Sequence, residues 1–343
     1  MKKVKWCVIG AGGIADRRTI PAIVGSDECE LVGVMDKSGE IARKVGEKYG
    51  VPYFTSEAEM LDAVDADAVY IGTPVFCHAE QSRAALSRKV AVFVEKPITL
   101  SSSDARALVE EFRAARVPLS VGYMMKYHNL NEKARELVLG GEIGKPVNVR
   151  AQFSCWYPDI EGAWRQKKAL GGGGAFMDLG VHCAELIEFI LGEKIVEVKT
   201  MAATQSFKYE VEDSAIIVFR TESGILGHID VNFNIPDAAS ESKLEIYGDA
   251  GYIIARGTLG QTEGGELTHL YTPGGDYSAI QDRVVGHPVT YVGEGKNLYT
   301  KQIESFNKQI ISGEPDYTYA DVAVHIQELC DLIYADAEKQ GER

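Results

Sequence analysis

The sequence predicts an α/β domain built on a doubly wound parallel sheet, followed by an α+β domain with an open, mainly antiparallel sheet. Three observations predict it. Up to Gly122, short apolar runs rich in β-branched residues alternate with helical stretches, the pattern of a parallel sheet covered on both faces. After Tyr123 the pattern becomes a strand, one long helix and then several strands in succession. At 343 residues the chain is also too long for one ordinary core. The expected division is 1–122 and 123–343, with the C-terminal helix able to pack back on the first domain.

The first strand runs from Val4 to Ile9 and is followed at once by Gly10-Ala11-Gly12-Gly13-Ile14-Ala15. This is the dinucleotide fingerprint of a Rossmann domain with alanine in the last place. Gly10 permits the tight turn and Gly12 lets the backbone approach a pyrophosphate. Ala15 keeps the helix close to the strand, and the free N–H groups at the helix start attract the anion. Pro21 should kink or restart that helix. A second strand, Glu30 to Met35, ends in Asp36, at the spacing where an acid binds the adenosine ribose hydroxyls. A helix or turn cap is the other reading of Asp36. The acid favours NAD, while Lys37 beside it could hold a phosphate, so NADP use is possible.

Next come a helix from Gly39 to Tyr49 stopped by Gly50, a short helix from Glu57 to Val64, and a strand from Ala68 to Ile71. Thr73 and Pro74 follow that strand, and a helix from Cys77 to Leu86 carries His78 near its start. All three would border the nicotinamide half, although His78 also fits a solvated first-turn residue. The run Val92-Phe93-Val94 ends abruptly in Glu95-Lys96-Pro97, as a buried strand stops at a sheet edge. The ligand crevice of an open parallel sheet lies at that edge, so Lys96 would stand beside whatever the sheet binds. The alternative is a salt-bridged surface lysine. Ser101, Ser102 and Ser103 can cap a helix to Ala115, and Pro118 to Gly122 makes the last strand of the domain.

In the second domain Lys145 to Ser154 reads as a strand, and a loop with Trp156, Tyr157, Trp164 and Arg165 follows. Gly171 to Gly174 then lets another backbone or a ligand come very close. It leads into a helix that contains Asp178 and His182, runs to Leu191 and is closed by Gly192. Four positions apart, these two side chains share one helix face. Further strands fall at Ile195 to Met201, Ala215 to Thr221, Ile225 to Phe233 and Leu244 to Gly248, with turns at 222–224 and 248–251. Arg256 to Gly295 carries no clear pattern. Helices near Leu298 to Ile311 and Tyr319 to Lys339 finish the chain. The uncovered face of the antiparallel sheet is a natural surface for a homodimer or homotetramer.

Composition closes off other classes. A net charge of −14 with no basic run argues against nucleic acid. No apolar run is long enough for a membrane span, and the start of the chain lacks a signal-peptide core. Six singly scattered cysteines suit a reducing cytoplasm and give no zinc spacing. Asp178, His182 and Glu185 could be read as a metal face, but no other His or Cys pair has ligand spacing, so no metal is expected.

The glycine loop, Asp36, Glu95-Lys96-Pro97 and Asp178-Leu-Gly-Val-His182 stand in the order and approximate spacing of the Gfo/Idh/MocA oxidoreductases, which the chain resembles from end to end. The resemblance implies reversible oxidation of a hydroxyl on a sugar, sugar derivative or cyclitol by a nicotinamide cofactor, with Lys96, Asp178 and His182 as the catalytic group. Hydride transfer needs a base for the hydroxyl proton and a donor for the growing alkoxide. Here His182 would exchange the proton, Lys96 would polarise the oxygen and relay the proton, and Asp178 would orient the imidazole. Which cation is the formal base stays open. Tyr123, Tyr127, His128, Trp156, Tyr157 and Trp164 suit the faces and hydroxyls of a sugar, and Arg165 a hydroxyl or negative group. Where the family often has an Arg-Arg pair, this chain has Met124-Met125-Lys126-Tyr127. Two other functions fit the scaffold: a hydrolase that oxidises a glycoside transiently on a tightly held NAD, and a cofactor-sensing regulator, in which the lysine or histidine would be lost.

Overall fold

A computed structural model describes residues 3–272, 274, 277, 279 and 286–341. The chain forms two compact units, Met1–Met124 with Ala169–Gly172 and Asn297–Glu328, and Met125–Lys168 with Gly173–Lys296 and Leu329–Arg343.

The first unit holds six parallel strands: β1 (Val4–Ile9), β2 (Cys29–Met35), β3 (Tyr53–Phe54), β4 (Ala68–Ile71), β5 (Ala91–Val94) and β6 (Leu119–Val121). Their order is β3-β2-β1-β4-β5-β6. Helices cover both faces, so β4 and β5 are buried at every residue, which is why they read as unbroken apolar runs. Trp6, Tyr70 and Phe93 fill the core together with Phe306 of the helix Leu298–Ser312, and Asn307 of that helix accepts the Trp6 indole N–H at 3.0 Å. The strand order reverses between β1 and β4, and the carboxyl ends of those strands flank the crevice where such sheets bind ligands.

Local chemistry sets the helix starts. Ser38, Ser56 and Ser101 each cap a helix by accepting the N–H three residues on. Pro21 acts as expected. The first helix opens with a wide turn over Ala15–Thr19 and continues as α-helix over Ile20–Val24, because proline donates no N–H and its ring displaces the carbonyl one turn back.

The second unit holds an eight-stranded sheet: β7 (Pro146–Ser154), β8 (Ile195–Ala203), β9 (Ser214–Thr221), β10 (Leu226–Asn232), β11 (Lys243–Gly248), β12 (Gly251–Arg256), β13 (Glu266–Tyr271) and β14 (Val289–Val292). The order is β14-β13-β12-β11-β7-β10-β9-β8, antiparallel except where β7 meets β10. Helices Asn129–Leu139 and Val181–Leu191 pack against each other and against its inner face. Along β9 the alternation is clean, with Ala215, Ile217 and Phe219 buried and Ile216, Val218 and Arg220 exposed. Strands β13 and β14 fall inside the stretch left unassigned by sequence, part of which lies outside the described residues. Among the described residues no helix is long and apolar enough to cross a membrane.

Candidate active site

In the first unit the glycine loop leaves β1 through Gly10 at φ +81°, a conformation that favours glycine. A Cβ at Gly10 would also lie 2.8 Å from the backbone nitrogen of Thr73, so the two strand ends approach as closely as they do only because no side chain intervenes. Gly13 is left-handed at φ +53° and a Cβ there would meet nothing within 4 Å. A bare loop open to solvent at the switch point fits a pyrophosphate. Ile14 and the buried Ala15 continue into the first helix.

Asp36 is tied into this loop. One carboxylate oxygen accepts the Gly12 N–H at 3.2 Å and the other the Ser38 N–H at 3.0 Å. The acid therefore fixes loop and strand end together, and Lys37 beside it is exposed. The turn-cap reading of Asp36 is thus part of its role, through Ser38.

Thr73 and Pro74 stand at the end of β4, and the helix after them is Val75–Leu86, beginning two residues earlier than the sequence suggests. The Thr73 hydroxyl donates to Gln81 Oε1 at 2.5 Å. His78 differs from the solvated first-turn alternative: it is 1 % exposed, with Nδ1 2.9 Å from the carbonyl of Pro97 and Nε2 2.9 Å from that of Thr73. The imidazole therefore braces the ends of β4 and β5 against each other. Glu95 accepts the Tyr70 phenol at 2.6 Å, and burial, with Glu95 second, holds that phenol well above its ordinary pKa. Lys96 follows at the carboxyl end of β5, half-buried, and Pro97 is buried behind it. Tyr123, expected to face a sugar, has its side chain 1 % exposed.

In the second unit Asp178 lies in a wide turn over Phe176–Gly180 that opens the α-helix Val181–Leu191, and His182 lies in the first turn of that helix. The turn widens where the Phe176 ring presses on Gly180, leaving no room for a Cβ. Such turns within helices cluster at functional sites. Asp178 pairs with Arg165 at 3.3 Å, and the Arg165 guanidinium also stacks on Trp164, 4.4 Å from the ring centroid. The structure thus brings Trp164, Arg165 and Asp178 together. Arg165, expected to contact substrate, carries an ion pair to a carboxylate of its own chain.

Glu185 does not complete a metal face with Asp178 and His182. It pairs with Lys126 at 3.1 Å, both side chains being 3 % exposed, and Lys126 Nζ lies 5.7 Å from the Tyr127 ring centroid. Burial pulls the Lys126 ammonium down and pushes the Glu185 carboxyl up, each opposed by the attraction of the other. Among the described residues no group of three His, Cys, Asp or Glu side chains could hold a metal. In the sequence, Met125-Lys126 shows only as a departure from a family pattern. The spacing of Glu185 beyond His182 was its one further signal.

Comparison with known proteins agrees with this geometry. Residues 4–123 match an oxidoreductase family with an NAD-binding Rossmann fold, and residues 131–254 match the GFO/IDH/MocA C-terminal domain. The 1,5-anhydro-D-fructose reductase of Ensifer adhaerens is 29 % identical over 92 % of this chain and 91 % of its own length. The D-xylose 1-dehydrogenase (NADP(+)) 2 of Haloferax volcanii is 27 % identical over 96 % of both. In fold, the aldose-aldose oxidoreductase of Caulobacter crescentus superposes with a TM-score of 0.87 at 22 % identity, covering 99 % of this chain and 98 % of that one. With both halves matched in order, this chain belongs to the GFO/IDH/MocA family of NAD-binding oxidoreductases.

Proposed function

We propose that this chain transfers a hydride between a nicotinamide cofactor and a hydroxyl or keto carbon of a sugar, sugar derivative or cyclitol. The observation that carries the reading is the arrangement of one sheet edge: the glycine loop, Thr73 and Lys96 all follow the carboxyl ends of neighbouring strands β1, β4 and β5. Gly10, Gly12, Gly13 and Asp36 hold the dinucleotide, which when bound supplies or accepts the hydride. Lys96 polarises the reacting oxygen and His182 exchanges its proton. Asp178, held by Arg165, keeps a fixed negative charge on the helix of His182. Trp164, with its ring under a guanidinium, and Tyr127 are the aromatic surfaces offered to a sugar.

The reading extends to assembly and place. The open face of the eight-stranded sheet exposes Ile216, Val218 and Leu226, each half accessible, and a second copy covering them gives a dimer or tetramer. All six cysteines are free, which suits a reducing cytoplasm. The deciding experiment follows nicotinamide absorbance across sugars, cyclitols, sugar acids and simple glycosides with NAD and NADP. Net cofactor turnover on a sugar or cyclitol is expected. Glycoside cleavage without net turnover would overturn it.

A further inference from the structure

The helix that carries Asp178 and His182 makes its first internal backbone bond from the Asp178 N–H to the Gly174 carbonyl at 3.1 Å. The four N–H groups before it, those of residues 174–177, have no partner within the helix, as at every helix start. Two residues take all four. Glu212 accepts the Gly174 N–H at 2.9 Å on one carboxylate oxygen and the Phe176 N–H at 3.0 Å on the other. Its backbone carbonyl accepts the Ala175 N–H at 3.0 Å. The Tyr334 hydroxyl accepts the Met177 N–H at 3.2 Å and donates to Glu212 Oε1 at 2.8 Å.

The last two glycines of the run, Gly173 and Gly174, are explained by the same contacts. A Cβ on Gly173 would overlap the Tyr334 hydroxyl, and one on Gly174 would overlap the Glu212 carbonyl. What approaches the glycines is the chain itself. The helix start resembles an anion cradle in sequence, yet its donors are consumed by an internal carboxylate, which also suits the positive end of the helix.

We propose that Glu212 and Tyr334 are positioning residues for the reaction, a clamp that fixes the axial position and rotation of the helix presenting Asp178 and His182. The proposal rests on the functional reading above, in which those two side chains serve the chemistry. A positional error of about an ångström in a reacting group costs up to roughly a hundredfold in rate. A glutamine at 212 would turn its NH2 toward one of the two backbone N–H groups that now meet oxygen. Burial first, and Glu212 second, hold the Tyr334 phenol well above its ordinary pKa, so the hydroxyl remains a donor at working pH.

The test uses the full-length protein, NADH and the most active substrate of the sugar and cyclitol panel. Tyr334→Phe and Glu212→Gln are expected to lower kcat by roughly ten- to a hundredfold with little change in NADH affinity by fluorescence titration. Adding Tyr334→Phe to His182→Asn should slow the enzyme no further, because the clamp acts through that helix. Tyr334→Phe alone decides if Glu212→Gln does not fold. Retention of kcat within about twofold in folded Tyr334→Phe, beside a crippled His182→Asn, overturns the clamp. Fully multiplicative effects in the double variant overturn it as well. His182→Asn at the wild-type rate instead overturns the functional reading, and with it the purpose of the clamp.

Discussion

The ammonium of Lys126 lies 3.1 Å from the carboxylate of Glu185, which shares the helix of His182, and both side chains are buried in the second unit. Removing one partner of such a pair leaves a buried charge uncompensated, whereas replacing both by apolar groups is often neutral or stabilising. Lys126→Met is therefore expected to destabilise by about 3–5 kcal/mol in urea unfolding at neutral pH. Lys126→Met with Glu185→Leu should recover most of that loss. The sign with pH follows from burial, which already raises the Glu185 carboxyl above its ordinary value. A raised carboxyl favours the folded state fully below the unfolded pKa and loses that contribution as pH rises through the folded pKa. The Lys126→Met defect should thus be smaller at pH 5 than at pH 8, and an equal defect at both would contradict it.

Asp36 supports a prediction on cofactor choice. Its carboxylate is fixed by the N–H groups of Gly12 and Ser38, so it cannot swing aside to admit a 2′-phosphate without releasing the glycine loop. We expect a higher kcat/KM with NAD(H) than with NADP(H). Asp36→Ser should narrow the difference by weakening NAD(H) and relieving repulsion of NADP(H). Steady-state kinetics with both cofactors checks this, and a wild-type preference for NADP(H) would refute it.

How much of this was legible in the sequence depended on how local the signal was. The Rossmann half was readable because buried parallel strands are unbroken apolar runs, and Gly10, Gly50 and Ser101 mark turn, stop and cap by short-range chemistry. Strands β13 and β14 were not, since Glu266–Tyr271 and Val289–Val292 alternate weakly amid glycines and gain their order from neighbours. The site divided the same way. Asp178 and His182 announce themselves by spacing, but the burial of Tyr123, the bracing role of His78 and the attachment of Arg165 to Asp178 are tertiary facts. Glu212 lies 34 positions beyond Asp178 (212 − 178) with no periodic link to it, so its hold on the helix start could not be read.

Two cations occupy left-handed backbone in the first unit, Lys89 at φ +60° and Arg116 at φ +55°. Each lies in a helix–strand connection, at a backbone conformation where glycine carries no steric penalty. Lys89→Gly and Arg116→Gly are expected to raise stability, each by about 1 kcal/mol or less once the greater entropy of unfolded glycine is set against the relieved strain. Thermal melts of the single and double variants test this. A fall in Tm for either would mean that the side chain contributes more than its backbone costs.

Assembly through the open sheet face has its own test. Ile216 and Val218 are 52 % and 50 % exposed on β9, with Leu226 50 % exposed on β10 beside them. A glutamate at 216 or 218 should leave the fold intact, since these side chains point away from the core, and should disperse any dimer by burying an unpaired charge at its interface. Light scattering of wild type and Ile216→Glu distinguishes the cases, and a wild type monomeric at high concentration rules the interface out.

The assignment of chemistry rests finally on Lys96 and His182, which stand at a strand end of the first unit and on a helix of the second. Neither is part of the glycine loop or of the Asp36 contacts proposed to hold the dinucleotide. Lys96→Met and His182→Asn should each lower kcat by roughly a hundredfold or more, the usual scale for losing an alkoxide stabiliser or a positioned acid/base group. NADH affinity should change little in both, whereas Asp36→Ala should weaken cofactor binding first. Asp178→Asn should lower kcat more mildly. It removes a charge that also anchors Arg165, so Arg165→Gln is expected to reproduce part of its effect. Stopped-flow hydride transfer and fluorescence titration of NADH on the same variants separate the chemical step from binding. If Lys96→Met turns over near the wild-type rate on the true substrate, the lysine is a surface residue at a strand end, and the reacting oxygen is polarised by another group.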